Sequence, residues 1–190
     1  FTFLFCFPYY LIAQYGAIDE TYNNVSLNKG ANGEIEVMKE LKEGTLLIGG
    51  NFSAYNHFAC NNLLLLDKNG YPDPTFDLKG SGPNNTINAL AVQTDGKILV
   101  AGQFTLWNGF PVGRIVRLNP DGSLDTSFTT GSGASSNIRC ILIDEHIQRI
   151  YVGGDFTLFN GEAAHNLAVL NMDGSTVGLP SLSNGFNGTV

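Results

Sequence analysis

Three aromatic residues, each followed by an amide, are the positions in this sequence best suited to hold a ligand: Tyr55-Asn56, Trp107-Asn108 and Phe159-Asn160. A ring offers an apolar platform to the C–H face of a sugar, and an adjacent amide supplies a donor and an acceptor for its hydroxyls. The same pair can serve the fold instead, with the ring packed over an edge and the Asn closing a turn. The pairs recur at one spacing, and residues repeated in every unit serve the repeat more readily than a single ligand. Both uses stay open at this point, with packing favoured.

Signals for catalysis are weaker. There is no Ser/His/Asp spacing and no glycine loop opening a helix to cradle phosphate, so no catalytic residue and no cofactor is assigned. Glu145 and His146 are the nearest acid–base candidates, but they fall at a hairpin tip where both would be solvated. His57, His146 and His165 are far apart and no Cys-x-x-Cys occurs, so no metal site is assigned. The acidic runs Asp67 to Asp73 and Asn119 to Asp125 lack the ligand spacing and terminal Glu of an EF-hand and read as ordinary turns. Cys60 and Cys140 permit a disulfide without specifying one. The sequons at Asn24, Asn51, Asn84 and Asn187 are what an Asn-rich chain generates by chance.

The elements that must position these residues come from a repeat. Gly50, Gly102 and Gly154 stand 52 residues apart, as do Phe52, Phe104 and Phe156, Leu66, Leu118 and Leu170, and Gly70, Gly122 and Gly174. The third unit carries one extra residue within 138–152, offset by a loop one residue shorter. In the middle unit the pattern predicts strand a over 87–92, strand b over 97–104, strand c over 114–119 and strand d over 124–128. Turns at Thr94-Asp95-Gly96 and Pro120-Asp121-Gly122 separate a from b and c from d. Longer loops at 105–112 and 130–137 complete the unit. The apolar runs Leu46-Leu47-Ile48 and Ile98-Leu99-Val100-Ala101 suggest strands covered on both faces. The small pairs Gly49-Gly50, Ala101-Gly102 and Gly153-Gly154 leave room for a bulge.

This is the pattern of an all-β protein built from beta-propeller blades of four antiparallel strands, with a beta-solenoid as the alternative. Three blades do not close a ring that takes about four to eight. The expected layout is 35–86, 87–138 and 139–189 as blades, residue 190 opening a further one, and 14–34 holding a lone outer strand around Asp19-Glu20-Thr21-Tyr22. The chain is therefore expected to be an open fragment of a longer propeller whose last blade borrows that strand to close the ring. Residues 1–13 are apolar and uncharged, like a signal-peptide core truncated at its start, which points to export. That run is too short to span a bilayer.

Composition narrows the partners. With 17 acidic and 10 basic residues, the net charge of −7 lacks the footprint of a nucleic-acid binder. The turns of one end are tight while all long loops share the other, which makes the long-loop end the expected binding surface.

The strings Gln93-Thr94-Asp95-Gly96-Lys97-Ile98-Leu99-Val100-Ala101-Gly102 and Arg117-Leu118-Asn119-Pro120-Asp121-Gly122-Ser123-Leu124-Asp125-Thr126-Ser127-Phe128 resemble the bacterial delta-sixty repeat. The resemblance runs from about Ile35 to Gly174 and departs at Val177-Gly178-Leu179-Pro180, where Asp and Phe are expected. It implies a secreted or cell-surface protein and no catalytic residue. The expected role is a non-catalytic binding or scaffold module for a protein or glycan, with self-association if the ring is open. The alternative is part of a propeller enzyme, a hydrolase, lyase or oxidase, with active residues partly outside this chain.

Overall fold

The computed structural model describes residues 30–177. The apolar N-terminal run, the strand expected around Asp19, the sequons at Asn24 and Asn187, and the end of the third unit with its successor lie outside the described residues. Each repeat forms the same five strands. They are β1 (Glu34–Glu40), β2 (Leu46–Asn51), β3 (Ala54–Tyr55), β4 (Phe58–Ala59) and β5 (Leu63–Leu66) in the first repeat. The second has β6 (Ile87–Val92), β7 (Ile98–Gly102), β8 (Leu106–Trp107), β9 (Phe110–Pro111) and β10 (Ile115–Leu118). The third has β11 (Ile138–Asp144), β12 (Arg149–Gly154), β13 (Leu158–Phe159), β14 (Glu162–Ala163) and β15 (Leu167–Asn171).

The first, second and fifth strands of each repeat form a three-stranded antiparallel sheet with the second strand in the middle. The third and fourth form a separate two-stranded hairpin. Every ladder among the described residues is antiparallel, which the stacked parallel coils of a solenoid would not give. No sheet closes on itself among these residues. β6 packs between β1 and β11, so the first strands lie side by side and the sheets stack face to face. No helix among the described residues is long and apolar enough to cross a membrane.

The small pairs do make bulges. Register shifts fall between Ile35 and Val37, Ile87 and Ala89, and Ile138 and Cys140, opposite the small pairs near the ends of β2, β7 and β12. A Cβ on Gly50, Gly102 or Gly154 would collide with the carbonyl oxygen of Glu34, Thr86 or Asn137 respectively. The bulge brings backbone where a side chain would stand.

Strand d departs from expectation. The segment 124–128 makes a single bridge, Leu118 to Leu124, and its counterparts make Leu66 to Pro72 and Leu170 to Thr176. The reason is local. Asp125 Oδ1 accepts hydrogen bonds from the Ser127 backbone N–H at 3.0 Å and hydroxyl at 2.7 Å, and the Phe128 N–H donates back to the Asp125 carbonyl. Asp73 does the same with Thr75. These side-chain bonds replace the ladder with a turn. Each blade is thus three strands with a bridged outer segment.

The core lies between repeats. In β7, Ile98 and Val100 join Leu47, Leu63 and Leu65 of the first repeat, while Leu99 and Ala101 join Ile150 and Val152 of the third. This is the period-two alternation of a strand buried on both faces. β7 is buried along its whole length, whereas β1 is largely exposed and β11 only partly buried.

Candidate binding surface

The loop expected between strands b and c, over 105–112 in the middle repeat, contains a hairpin. Asn108 and Gly109 both have positive φ, 51° and 81°, and join β8 to β9 with Trp107 opposite Phe110. Asn160 and Gly161 repeat this geometry, and Asn56 and His57 approximate it. Asn-Gly between two apolar pairs is the signal for such a type I′ turn and was available in the sequence.

Each Asn also reaches across to the preceding loop. Oδ1 of Asn56, Asn108 and Asn160 accepts the backbone N–H of Gly30, Gly82 and Gly133 at 2.6, 2.6 and 2.8 Å. The Asn backbone N–H in turn donates to the carbonyl of the same glycine, at 3.0, 2.8 and 2.8 Å. The amides therefore clamp one repeat's hairpin to the loop that leads into that repeat.

The aromatic partners lie inside. Tyr55, Trp107 and Phe159 are only 5, 1 and 2% exposed, each in the cluster on its repeat's leading side. Trp107 meets Phe104 edge-on at 5.5 Å, and Phe159 meets Phe156 at 5.8 Å. Edge-to-face pairs of this kind belong to a packed core. Among the described residues Trp107 Nε1 is a buried donor with no partner. The three rings offer no open platform to a ligand.

The exposed apolar residues of the hairpins are Phe58 and Phe110, just past the turn, and Leu158, just before its buried ring. Phe58 is 52% exposed, Phe110 73% and Leu158 42%. Phe58 and Phe110 are 52 residues apart, and the third repeat has Glu162 at that position. They escaped sequence reading because which side of a loop residue faces inward is not set by loop length or by its apolar content.

Between the hairpins of the first and second repeats lies a cleft of 590 Å³. Amide and hydroxyl side chains dominate its lining, including Asn32, Asn51, Asn61, Asn62, Ser81 and Asn84, and none of its described lining residues is charged. Asn32 Oδ1 accepts the Ser53 and Ala54 N–H groups, and Asn84 Oδ1 those of Thr105 and Leu106, all at 2.9 Å.

The opposite end carries turns. Glu145 Oε1 accepts the Thr94 N–H at 3.0 Å, tying two turns together, and the His146 N–H donates to Asp144 at the tip. Asp67 takes the N–H groups of Asn69 and Tyr71, chiefly the latter, and this holds its carboxyl below the ordinary range. Asp121 is lowered by the hydroxyl and N–H of Ser123. These are turn-forming bonds. No group of three His, Cys, Asp or Glu placed to hold a metal occurs among the described residues. Cys60 and Cys140 are both free thiols.

One charged cluster was not foreseen. Arg117, in the middle of β10, is buried with Asp125, and its Nε donates to Oδ2 at 2.7 Å. Lys97 Nζ meets the same oxygen at 2.8 Å. Arg117 also donates to Gln93, Ser127 and the Met172 carbonyl, and its guanidinium stands 5.0 Å from the centre of the Phe128 ring. Burial pushes the Asp125 carboxyl up, but the bonds from Lys97, Ser127 and Arg117 outweigh it and hold it far below the usual range. Leu65 and Val169 occupy the place of Arg117 in the other repeats, so the cluster belongs to the middle repeat.

Comparison with known proteins agrees with this architecture. A family model described as a domain of unknown function (DUF5122) beta-propeller matches residues 43–76, 93–128 and 149–176. No curated protein matches the chain.

Proposed function

The chain belongs to the beta-propeller family described as a domain of unknown function (DUF5122), and on that premise we propose that it is a non-catalytic binding or scaffold module. Its working surface is the end that carries the hairpins. The observation that carries this reading is that every repeat presents an exposed apolar side chain there, Phe58, Phe110 or Leu158, on a hairpin clamped by Asn. Apolar groups held outward on rigid two-residue turns suit recognition and contribute nothing to the core. The partner is a protein or glycan at the cell surface. The likeness to the delta-sixty repeat and the apolar N-terminal run support export to that location.

The intact protein should retain ligands on a glycan array or capture a surface protein, and Phe110→Ser should reduce the signal without changing the melting temperature. Full retention in Phe58→Ser/Phe110→Ser would refute the choice of surface. Hydrolase or lyase turnover on the captured ligand would refute the non-catalytic role. Fractionation that finds the full-length gene product in the cytoplasm would refute export.

A further inference from the structure

We propose that the cleft between the first and second repeats is a saccharide subsite that takes a short, uncharged oligosaccharide. The inference rests on the hairpin end being the binding surface. Its ground is a difference between two junctions that the repeat would otherwise make alike.

At the second junction the chains are zipped together. The Ala134 N–H donates to the Gly113 carbonyl at 3.2 Å, and the Arg114 side chain crosses to the Ala134 carbonyl at 3.2 Å while holding the Gln103 carbonyl of its own repeat at 3.0 Å. A Cβ on either Gly113 or Gly133 would collide with the other's backbone. At the first junction Pro83 stands in the place of Ala134, each bridging to the buried ring of its hairpin. Proline has no N–H to donate. Asn61 stands in the place of Gly113 and Asn62 in that of Arg114. The Asn61 side chain reaches the Ser81 carbonyl at 2.6 Å and the Asn62 side chain the Asn85 carbonyl at 3.2 Å, so side-chain amides span this gap where a backbone bond and Arg114 close the second. Two differences from the second junction, Pro83 for Ala134 and Asn61 for Gly113, therefore coincide with an open cleft. A feature confined to one junction is not needed to build the repeat.

The lining chooses the ligand class. Amides and hydroxyls each donate and accept, as sugar hydroxyls do. Asn32 and Asn84 are fixed by the backbone N–H groups they accept, and each NH₂ uses one hydrogen, on Ser53 or Thr105, which leaves one N–H over. The Asn51 and Ser81 side chains make no hydrogen bond among the described residues and line the cleft beside Leu106, an apolar patch for C–H faces. In a chain of net charge −7, an uncharged lining gives no counter-charge to a phosphate, a carboxylate or a cation, each of which loses hydration on entry. The volume of 590 Å³ falls within the usual range of ligand sites, about 300 to 1,000 Å³.

The test uses the whole chain and its single tryptophan, which lies between the lining residues Leu106 and Gly109 in sequence and reports on the cleft from below. Neutral gluco-, manno- and chito-oligosaccharides are titrated by calorimetry and Trp107 fluorescence, with an oligogalacturonide as the charged comparison. At least one neutral series should bind and the oligogalacturonide should not. Asn51→Ala should weaken binding tenfold or more. Asn61→Gly/Pro83→Ala, which installs the second junction's residues, should abolish it and keep the wild-type melting temperature. Absence of binding by every neutral series, equal binding of the oligogalacturonide, or wild-type affinity in both variants would overturn the proposal. If array ligands are lost with Phe110→Ser but kept in both cleft variants, the surface reading stands and the cleft assignment falls. If no ligand is retained by any form, both fall.

Discussion

Replacing Asp125 with valine tests whether the buried charges of the middle repeat act as a unit. Arg117 and Asp125 are each more than nine-tenths buried, and the repeat supplies an apolar precedent, because Val169 and Val177 occupy the same two positions in the third repeat. Asp125→Val strands the guanidinium. Breaking a buried pair from one side costs about 3–5 kcal/mol. Arg117 keeps the Met172 carbonyl, Gln93 and the Phe128 ring, which puts the expected loss at the lower end, about 3 kcal/mol. With a urea slope of about 2 kcal/mol per M, the unfolding midpoint falls by roughly 1.5 M. Arg117→Val leaves Asp125 with Lys97 and Ser127 and should cost less, about 1–2 kcal/mol. The double variant removes both charges and should lie within about 1 kcal/mol of wild type, since apolar replacement of a buried pair is often neutral. Urea titrations followed by Trp107 fluorescence and far-UV dichroism give all three values. If the two single losses add in the double variant to within about 0.5 kcal/mol, the charges are independent and the reasoning fails.

Acid should erode the same cluster: the Asp125 carboxyl titrates lower folded than unfolded, so its stabilisation is complete above about pH 4 and is lost as pH falls toward the folded value. Asp125→Asn should flatten the urea midpoint against pH in that window; an unchanged profile would refute the assignment. Gly102→Ala drives a Cβ into the Thr86 carbonyl and should cost about 1–3 kcal/mol in a thermal melt, while a neutral result would mean that the bulge can relax. Asn108→Ala loses the Gly82 clamp and strains a positive φ, for about 1–2 kcal/mol, and Asn108→Gly should recover the backbone part. Burial pushes the Cys60 thiol up to about 11, so iodoacetamide at neutral pH should label exposed Cys140 well before it, as read by mass spectrometry.

The middle repeat shows what sequence pattern conveys and where it stops. Strand a was expected at 87–92 and forms there, because its turn residues and apolar run bound it on both sides. Strands b and c formed within their expected spans but shorter, since the bulge and the positive φ of Arg114 end them. Strand d failed where Asp125 and Ser127 could bond locally, a competition that apolar periodicity does not register. The aromatic–amide pairs were legible as a repeat feature, and their packing role follows from Trp107 lying in the cluster with Phe104. The cleft was not legible. Asn61 and Pro83 differ visibly from Gly113 and Ala134, but that these positions face one another across a junction is a fact of the fold.

The clamp of each hairpin onto the loop leading into its repeat, with the ring beneath it buried toward the preceding sheet, puts the sequence period and the mechanical unit out of phase. What recurs in the gene is a blade, but what behaves as a module is a seam, composed of the trailing face of one repeat and the leading face of the next. Exchange of a whole repeat by recombination therefore disturbs two seams at once. Crossovers in the middle strand of successive sheets would instead move one seam intact, and libraries cut at β2 and β7 should keep more folded members than libraries cut at the repeat boundary.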